Sequence, residues 1–124
     1  KDSAEALDLL ERAEALSRFV GMEVGLADGC RIQAEIQLSS GQLHLAEEQA
    51  LIAIDAAERM AAPRYIAFAQ RTLAEVLARR LEAGDDKALL VPRMRAALDA
   101  AAVAFARAKM TQEADTSRAL SQAL

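Results

Sequence analysis

The feature that most constrains this chain is an internal repeat with a period of 40 residues. When the sequence is shifted by 40 positions, Ala6 and Ala13 fall on two further alanines. At the same offset, Arg-x-x-Ala-Glu-Ile at 31–36 falls on Arg-x-x-Ala-Glu-Val at 71–76. A fixed period of about 20–50 residues is typical of solenoids, whose units stack because none buries its apolar face alone. The repeat therefore predicts an array of stacked units.

The units are predicted to be helical. Hydrophobic residues make up 53 % of the chain and aromatic residues only 3 %, so the apolar mass is mostly Ala and Leu, which are good helix formers. Five glycines and two prolines leave few places for turns, so the elements must be long. In the second copy, Ala46 and Ala53 share a helical stripe with Leu43 and Ile54. We expect an all-α protein, an α-α superhelix of antiparallel helix hairpins.

Glycines and prolines divide the chain into about five to six helices. Gly21 and Met22 are expected to end a first helix, and Gly41 is expected to cap the second. Pro63 suits the first position of the fourth helix, where its missing N–H does no harm. Pro92 is expected to start the fifth, because a proline inside a helix removes a hydrogen bond. The predicted helices are 4–20, 23–40, 43–60, 63–82, 92–109 and 111 onward, with a helical turn at 87–91.

A third copy of the alanine pair follows at a longer interval. Ala97 and Ala104 stand 51 residues after the second pair, which predicts an insertion of about 11 residues between the fourth and fifth helices. The segment 81–92 must hold this insertion. It includes the clearest loop in the chain, Ala-Gly-Asp-Asp at 83–86.

Small residues and a turn glycine recur in a recognisable order between 34 and 53. Ala34 precedes Gly41 by seven positions, and the pattern Gly41-x-Leu43-x-x-Ala46-x6-Ala53 follows. This pattern resembles a tetratricopeptide repeat (TPR). Its 40-residue period is similar to the variant found in bacterial ATPase-linked transcriptional regulators and nucleotide cyclases. The resemblance implies a protein–protein interaction module within a larger bacterial regulatory protein, located in the cytoplasm.

The resemblance also implies which side chains face a binding groove, since the first helix of each hairpin lines the groove in such arrays. The inward positions are then Asp28, Arg31, Glu35 and Ser39 on the second helix and Phe68, Arg71, Glu75 and Arg79 on the fourth. The alternative is that the i,i+4 pairs of arginine and glutamate among them only stabilise their helices, by about 0.2–0.5 kcal/mol each. Arg79 and Arg80 have no partner nearby in sequence and therefore indicate an acidic ligand.

Charge is divided unevenly along the chain. Residues 1–62 carry a net charge of −7 and residues 63–124 a net charge of +3. The alternatives are solvated faces, head-to-tail attraction between molecules, or a groove that prefers acidic ligands at its C-terminal end. No dense Lys/Arg run or aromatic platform occurs, so nucleic acid is not expected as a partner. No stretch of about 18 apolar residues occurs, so no membrane association is expected.

No set of residues indicates catalysis. His44 is the only histidine and is expected to be a solvent-exposed helix residue, and Cys30 is expected to be a small core residue. A single cysteine excludes an internal disulfide and agrees with a cytosolic protein. Glu47 and Glu48 are helix neighbours that point in different directions, so they do not form an acid/base pair. We expect no enzymatic activity, no cofactor and no metal site.

Three hypotheses follow. The first is a non-catalytic scaffold that binds a protein or peptide segment. The second is a free-standing helical bundle that forms homodimers through its Ala/Leu faces, and the third, more distant, is an α-helical enzyme. Residues 1–124 are expected to form a single domain cut from a longer array, because Leu120 and Leu124 do not supply the polar cap that a solenoid end needs. Uncapped ends also predict self-association.

Overall fold

The computed structural model describes residues 2–124, and these residues form five α-helices and no strand. The helices are α1 (Asp2–Ser39), α2 (Leu43–Arg59), α3 (Pro63–Glu82), α4 (Lys87–Arg107) and α5 (Thr111–Ala123). Each helix packs against its neighbours in the chain, and α1 also contacts α3. Among residues 2–124, no helix combines the length and the apolar composition that crossing a membrane requires. The prediction of an all-α fold is confirmed.

Four turns with one geometry reverse the chain between these helices. Each has one residue in the left-handed region, namely Gly41, Ala61, Gly84 and Lys109, with φ of 80°, 51°, 92° and 63°. The N–H of the next residue donates to a carbonyl five positions earlier, as from Ala62 to Ala57 and from Met110 to Phe105. This is the Schellman motif, which satisfies carbonyls at a helix end. Because the turns are short, successive helices run antiparallel.

Alanine supplies much of the core. The repeat alanines of the second copy, Ala46 and Ala53, are completely buried, and those of the third copy are 3 % and 4 % exposed. Small side chains at these positions let helix axes approach closely. Phe105 and Leu77 are the largest side chains that are completely buried.

The predicted helix break at Gly21 and Met22 is wrong, because α1 continues through both residues. A glycine inside a helix costs about 1 kcal/mol relative to alanine, which is too little to end a helix between two long runs of good helix formers. Residues 3–22 are exposed throughout. Consequently the first predicted hairpin does not form, and Ala6 and Ala13 lie on the surface.

The predicted helix start at Pro92 is also wrong, because α4 begins five residues earlier at Lys87. Asp86 caps the helix by accepting a hydrogen bond from the Ala88 N–H at 3.0 Å. Leu90 is completely buried in a cluster of apolar side chains, which we call the main core and which includes Ala53, Leu73 and Leu77. Burying a leucine contributes about 1.5–3 kcal/mol, which offsets the hydrogen bond that Pro92 removes. The insertion predicted at 81–92 is therefore mostly helix, with only a short turn.

Candidate functional site

Three adjoining cavities form a groove that includes residues of α1, α3, α4 and α5. Their volumes are about 350, 280 and 210 Å³, and Arg71 lines all three. We call the surface formed by the residues that line these cavities the central groove. It has a polar part beside α1, an apolar part beside α4 and the end of α5, and a third part along α5.

The polar part is a cluster of arginines around one aromatic ring. The guanidinium carbons of Arg31, Arg64 and Arg71 lie 5.7, 5.4 and 4.8 Å from the centroid of the Phe68 ring. Phe68 packs edge-on against Phe105 at 5.3 Å between ring centroids, and Arg71 also lies 5.5 Å from the second ring. A cation at such a distance is attracted to the ring face by about 0.5–1 kcal/mol at an exposed site. The two rings therefore hold the guanidinium groups in position.

Only one of these three arginines is paired with a carboxylate. Arg31 lies 3.1 Å from Glu35 and 3.5 Å from Asp28. Arg64 and Arg71 have no carboxylate oxygen within 4.0 Å among residues 3–124. The two guanidinium groups of Arg64 and Arg71, which lie against the Phe68 ring, thus have no ion-pair partner in the described part of the chain.

Glu75 lies one helical turn beyond Arg71 and lines the apolar part of the groove. Burial raises the pKa of Glu75 above its ordinary value, the charge of Arg71 lowers it, and the charge of Glu35 raises it further. The net pKa is raised, so the groove stabilises the ionised form of Glu75 less than water does.

The apolar part of the groove is lined by aliphatic side chains from three helices and the C-terminal residue. Besides Arg71 and Glu75, the lining consists of Ala74, Ala78, Met94, Leu98, Leu120 and Leu124. Leu120 and Leu124 are 53 % and 39 % exposed. An aliphatic side chain of a ligand placed here would remove this apolar surface from water.

The structure brings six of the eight predicted groove residues together. Asp28, Arg31, Phe68 and Arg71 line the polar part, Glu75 lines the apolar part, and Glu35 hydrogen-bonds to Arg31. Ser39 donates its hydroxyl to the Glu35 backbone carbonyl at 3.1 Å and lines none of the three cavities. Arg79 also lines none of them and lies 3.8 Å from Glu82.

The interpretation of Arg80 as a cation available to a ligand is wrong. Arg80 donates hydrogen bonds to Glu47 at 2.6 Å and to Asp85 at 2.7 and 2.9 Å, and Arg93 donates to Glu47 at 3.2 Å. Burial raises the pKa of Glu47, but the hydrogen bonds and charges of the two arginines lower it more, so its net pKa lies below the ordinary value. Arg80 therefore belongs to a structural network that joins α2, α3 and α4.

Sequence reasoning missed several groove residues. Arg64 precedes Phe68 by four positions and Arg71 by seven, a spacing that places all three on one helical face and would have indicated its role. The side chains of α5 gave no such signal, because the insertion at 81–92 breaks the 40-residue register before that helix. The groove residues on α5 are Gln112, Glu113, Thr116, Ser117 and Leu120.

The other polar candidates lie outside the groove. His44 is 89 % exposed and lies 3.3 Å from Glu48 on its own helix. Cys30 is partly buried and packs against the main core. No group of three or more His, Cys, Asp or Glu that could hold a metal ion occurs in the part of the chain that the structure describes.

Comparison of the chain with protein-family models, with curated proteins and with solved structures found no match.

Proposed function

We propose that this chain is a non-catalytic protein-interaction module that binds a segment of a partner protein in the central groove. The observation that carries this proposal is the pair of arginines on Phe68, Arg64 and Arg71, which lack an ion-pair partner among the described residues. Guanidinium groups bind carboxylates through charge-assisted hydrogen bonds, which are roughly twice as strong as neutral ones. The favoured ligand is therefore a segment with an acidic side chain.

The apolar part of the groove adds a second requirement for the ligand. Arg71 lines both parts, so a segment that places a carboxylate on Arg71 brings its neighbouring residues over Leu120 and Leu124. We infer that the ligand carries an aliphatic residue close to its acidic residue. Burying that side chain would contribute about 1.5–3 kcal/mol.

The proposed setting is a tetratricopeptide-like segment of a larger bacterial regulatory protein in the cytoplasm. Supporting this setting, the antiparallel helices bury small residues at the repeat positions Ala46, Ala53, Ala97 and Ala104. The groove residues on α1 and α3 also lie at equivalent positions of the 40-residue repeat, as Arg31 and Arg71 do.

A selection from a library of short random peptides would test this function. We expect the selected peptides to share an acidic residue next to an aliphatic one. Arg71→Glu should weaken their binding about tenfold or more, because a hydrogen bond to a charged group is worth about 1.5–3 kcal/mol. The measurement is the dissociation constant by calorimetry, with circular dichroism to verify that the variant is folded.

Arg79→Glu is the matched control. It makes the same charge reversal on the same helix at a residue outside the three cavities, so binding should change little. Equal losses from the two substitutions, or selected peptides without an acidic residue, would contradict the proposed site.

A further inference from the structure

The two halves of α1 each present an apolar face that no described residue covers. Residues 3–20, which we call the arm, expose Leu10 and Leu16 at 59 % and 62 %. The C-terminal half exposes Leu26, Ile32 and Ile36 at 38 %, 47 % and 57 %. We call the surface formed by these three residues, Gly25 and Gly29 the acceptor face. No atom lies within 4 Å of a Cβ built at Gly25 or Gly29, so this face is open.

The 40-residue repeat shows what covers such faces elsewhere in the molecule. Shifted by one period, the arm corresponds to α2, and the acceptor face corresponds to the face of α3 that α2 packs against. Val76 and Thr72, the equivalents of Ile36 and Ile32, are buried at 0 % and 2 % exposure. Two positions that are buried in the second copy therefore carry exposed isoleucines in the first.

The packing of α2 on α3 also gives the register. Ala46 shares a cluster with Val76, and Ala56 shares one with Ile66. One period earlier, these contacts correspond to Ala6 with Ile36 and Leu16 with Leu26. The arm thus carries a small residue opposite Ile36, as α2 carries one opposite Val76.

Gly21 stands where the second copy turns. It corresponds to Ala61, whose φ is 51° in the turn from α2 to α3. In the structure, however, Gly21 lies within the continuous helix α1. A straight helix carries the arm away from the acceptor face of the same chain, so these two faces cannot meet within one molecule of this shape.

We propose that two copies of the chain associate through antiparallel α1 helices, each arm covering the acceptor face of the other copy. The two-fold axis passes near Gly21, and each arm contacts positions equivalent to those that α2 contacts on α3. This is an exchange of identical elements between protomers, a low-cost route to a symmetric dimer. Because positions 6 and 36 lie about 120° apart around a straight α-helix, both contacts require α1 to bend or twist near Gly21. The inference does not depend on the central groove or its ligand.

Solution mass tests the association. Light scattering of the chain should give twice the mass of one copy. Glu23→Pro should give the mass of one copy, because position 23 corresponds to Pro63, the first residue of α3, and a proline there breaks α1 and favours an intramolecular hairpin. Glu23→Ala, which loses the same 2.9 Å contact with Arg59, should remain a dimer. A single-copy mass for the unsubstituted chain, or a dimer that persists in Glu23→Pro, would overturn the proposal.

A second variant avoids any change to the backbone. Leu16→Glu places a charge on a side chain that is exposed in the single copy, so the variant should fold normally and give the mass of one copy. If Leu16→Glu stays dimeric, the arm does not form the interface and the proposal fails.

Disulfide formation tests the register. In a Cys30→Ser background, one chain carries Leu16→Cys and another carries Leu26→Cys. After mixing under oxidising conditions, the disulfide between unlike chains should exceed that between like chains, because the antiparallel register puts position 16 opposite position 26. An excess of disulfides between like chains, or none between unlike chains in a sample of dimer mass, would contradict the arrangement.

Discussion

Arg71 is the residue on which the central groove depends most. It contacts both phenylalanine rings and lines all three cavities. Its planar guanidinium stacks on aromatic faces and still presents donors in a fixed arrangement, which a lysine ammonium does not do. Glu75, four residues later, lies in the same groove without an ion pair to it within 4.0 Å. The groove therefore contains a cation that has no ion-pair partner among residues 3–124.

Gln37 is a polar residue that is almost completely buried. Its side chain is 8 % exposed, and no donor among residues 2–124 reaches its Oε1 atom. We expect Gln37→Leu to raise the free energy of unfolding by about 1 kcal/mol. The side-chain carbonyl of Gln37 gives up its hydrogen bonds to water on folding, and leucine has no such group. Urea denaturation followed by circular dichroism measures the change.

The exposed Gln33 provides the control for that substitution, since it lies one turn earlier on the same helix. Gln33→Leu should change stability by no more than about 0.5 kcal/mol. Destabilisation by Gln37→Leu would mean that the amide makes a hydrogen bond in solution.

At the scale of the elements, the turns have one geometry but different residues. Glycine occupies the left-handed position at Gly41 and Gly84, whereas Ala61 and Lys109 occupy it in the other two turns. A side chain in that region costs about 1–2 kcal/mol, so helix packing and the Schellman hydrogen bonds must hold these two residues there. The turn at Ala61 is predicted by the neighbouring Pro63 and not by Ala61 itself, because alanine favours helix.

Ala61→Gly should therefore stabilise the protein. The expected gain in unfolding free energy is about 0.5–1 kcal/mol, less than the strain removed because glycine also loses more backbone entropy on folding. Ala62→Gly is the control, since Ala62 has a φ of −102° that any residue adopts, and this variant should gain nothing. Melting temperatures of the two variants would test the prediction, and equal shifts would refute it.

At the scale of the whole molecule, Glu47 joins three helices. Its carboxylate on α2 accepts hydrogen bonds from Arg80 on α3 and Arg93 on α4, and its side chain is 17 % exposed. We expect Glu47→Gln to lower the unfolding free energy by about 1–2 kcal/mol at neutral pH, between the values for exposed and buried ion pairs.

The pH dependence of that effect follows from the lowered pKa of Glu47. A carboxyl group with a lower pKa in the folded state stabilises the protein above its unfolded pKa, about 4.3, and the stabilisation is lost as the pH falls through the folded pKa. The difference in unfolding free energy between the unsubstituted protein and Glu47→Gln should therefore shrink below about pH 4. Urea titrations at neutral and acidic pH test this, and a difference independent of pH would contradict it.

Much of the architecture was predictable because it depends on local chemistry. Ala and Leu content favours helices, Gly41 and the 83–86 segment mark turns, and helical spacing groups Phe68 with Arg71 on one face. These features depend on residues within a few helical turns of each other. The sequence by itself therefore determined the helical class and, to within one residue, the bounds of α2 and α3.

Only the tertiary structure decided the outcomes that depend on distant partners. α4 extends back through Pro92 because Leu90 finds a place in the core, and Arg80 is engaged because Glu47, 33 residues away in sequence, reaches it. In each case, burial of a side chain or its pairing with a distant segment contributes a free energy comparable to the cost of one lost hydrogen bond or one unfavourable residue. The distant partner therefore decides which conformation forms.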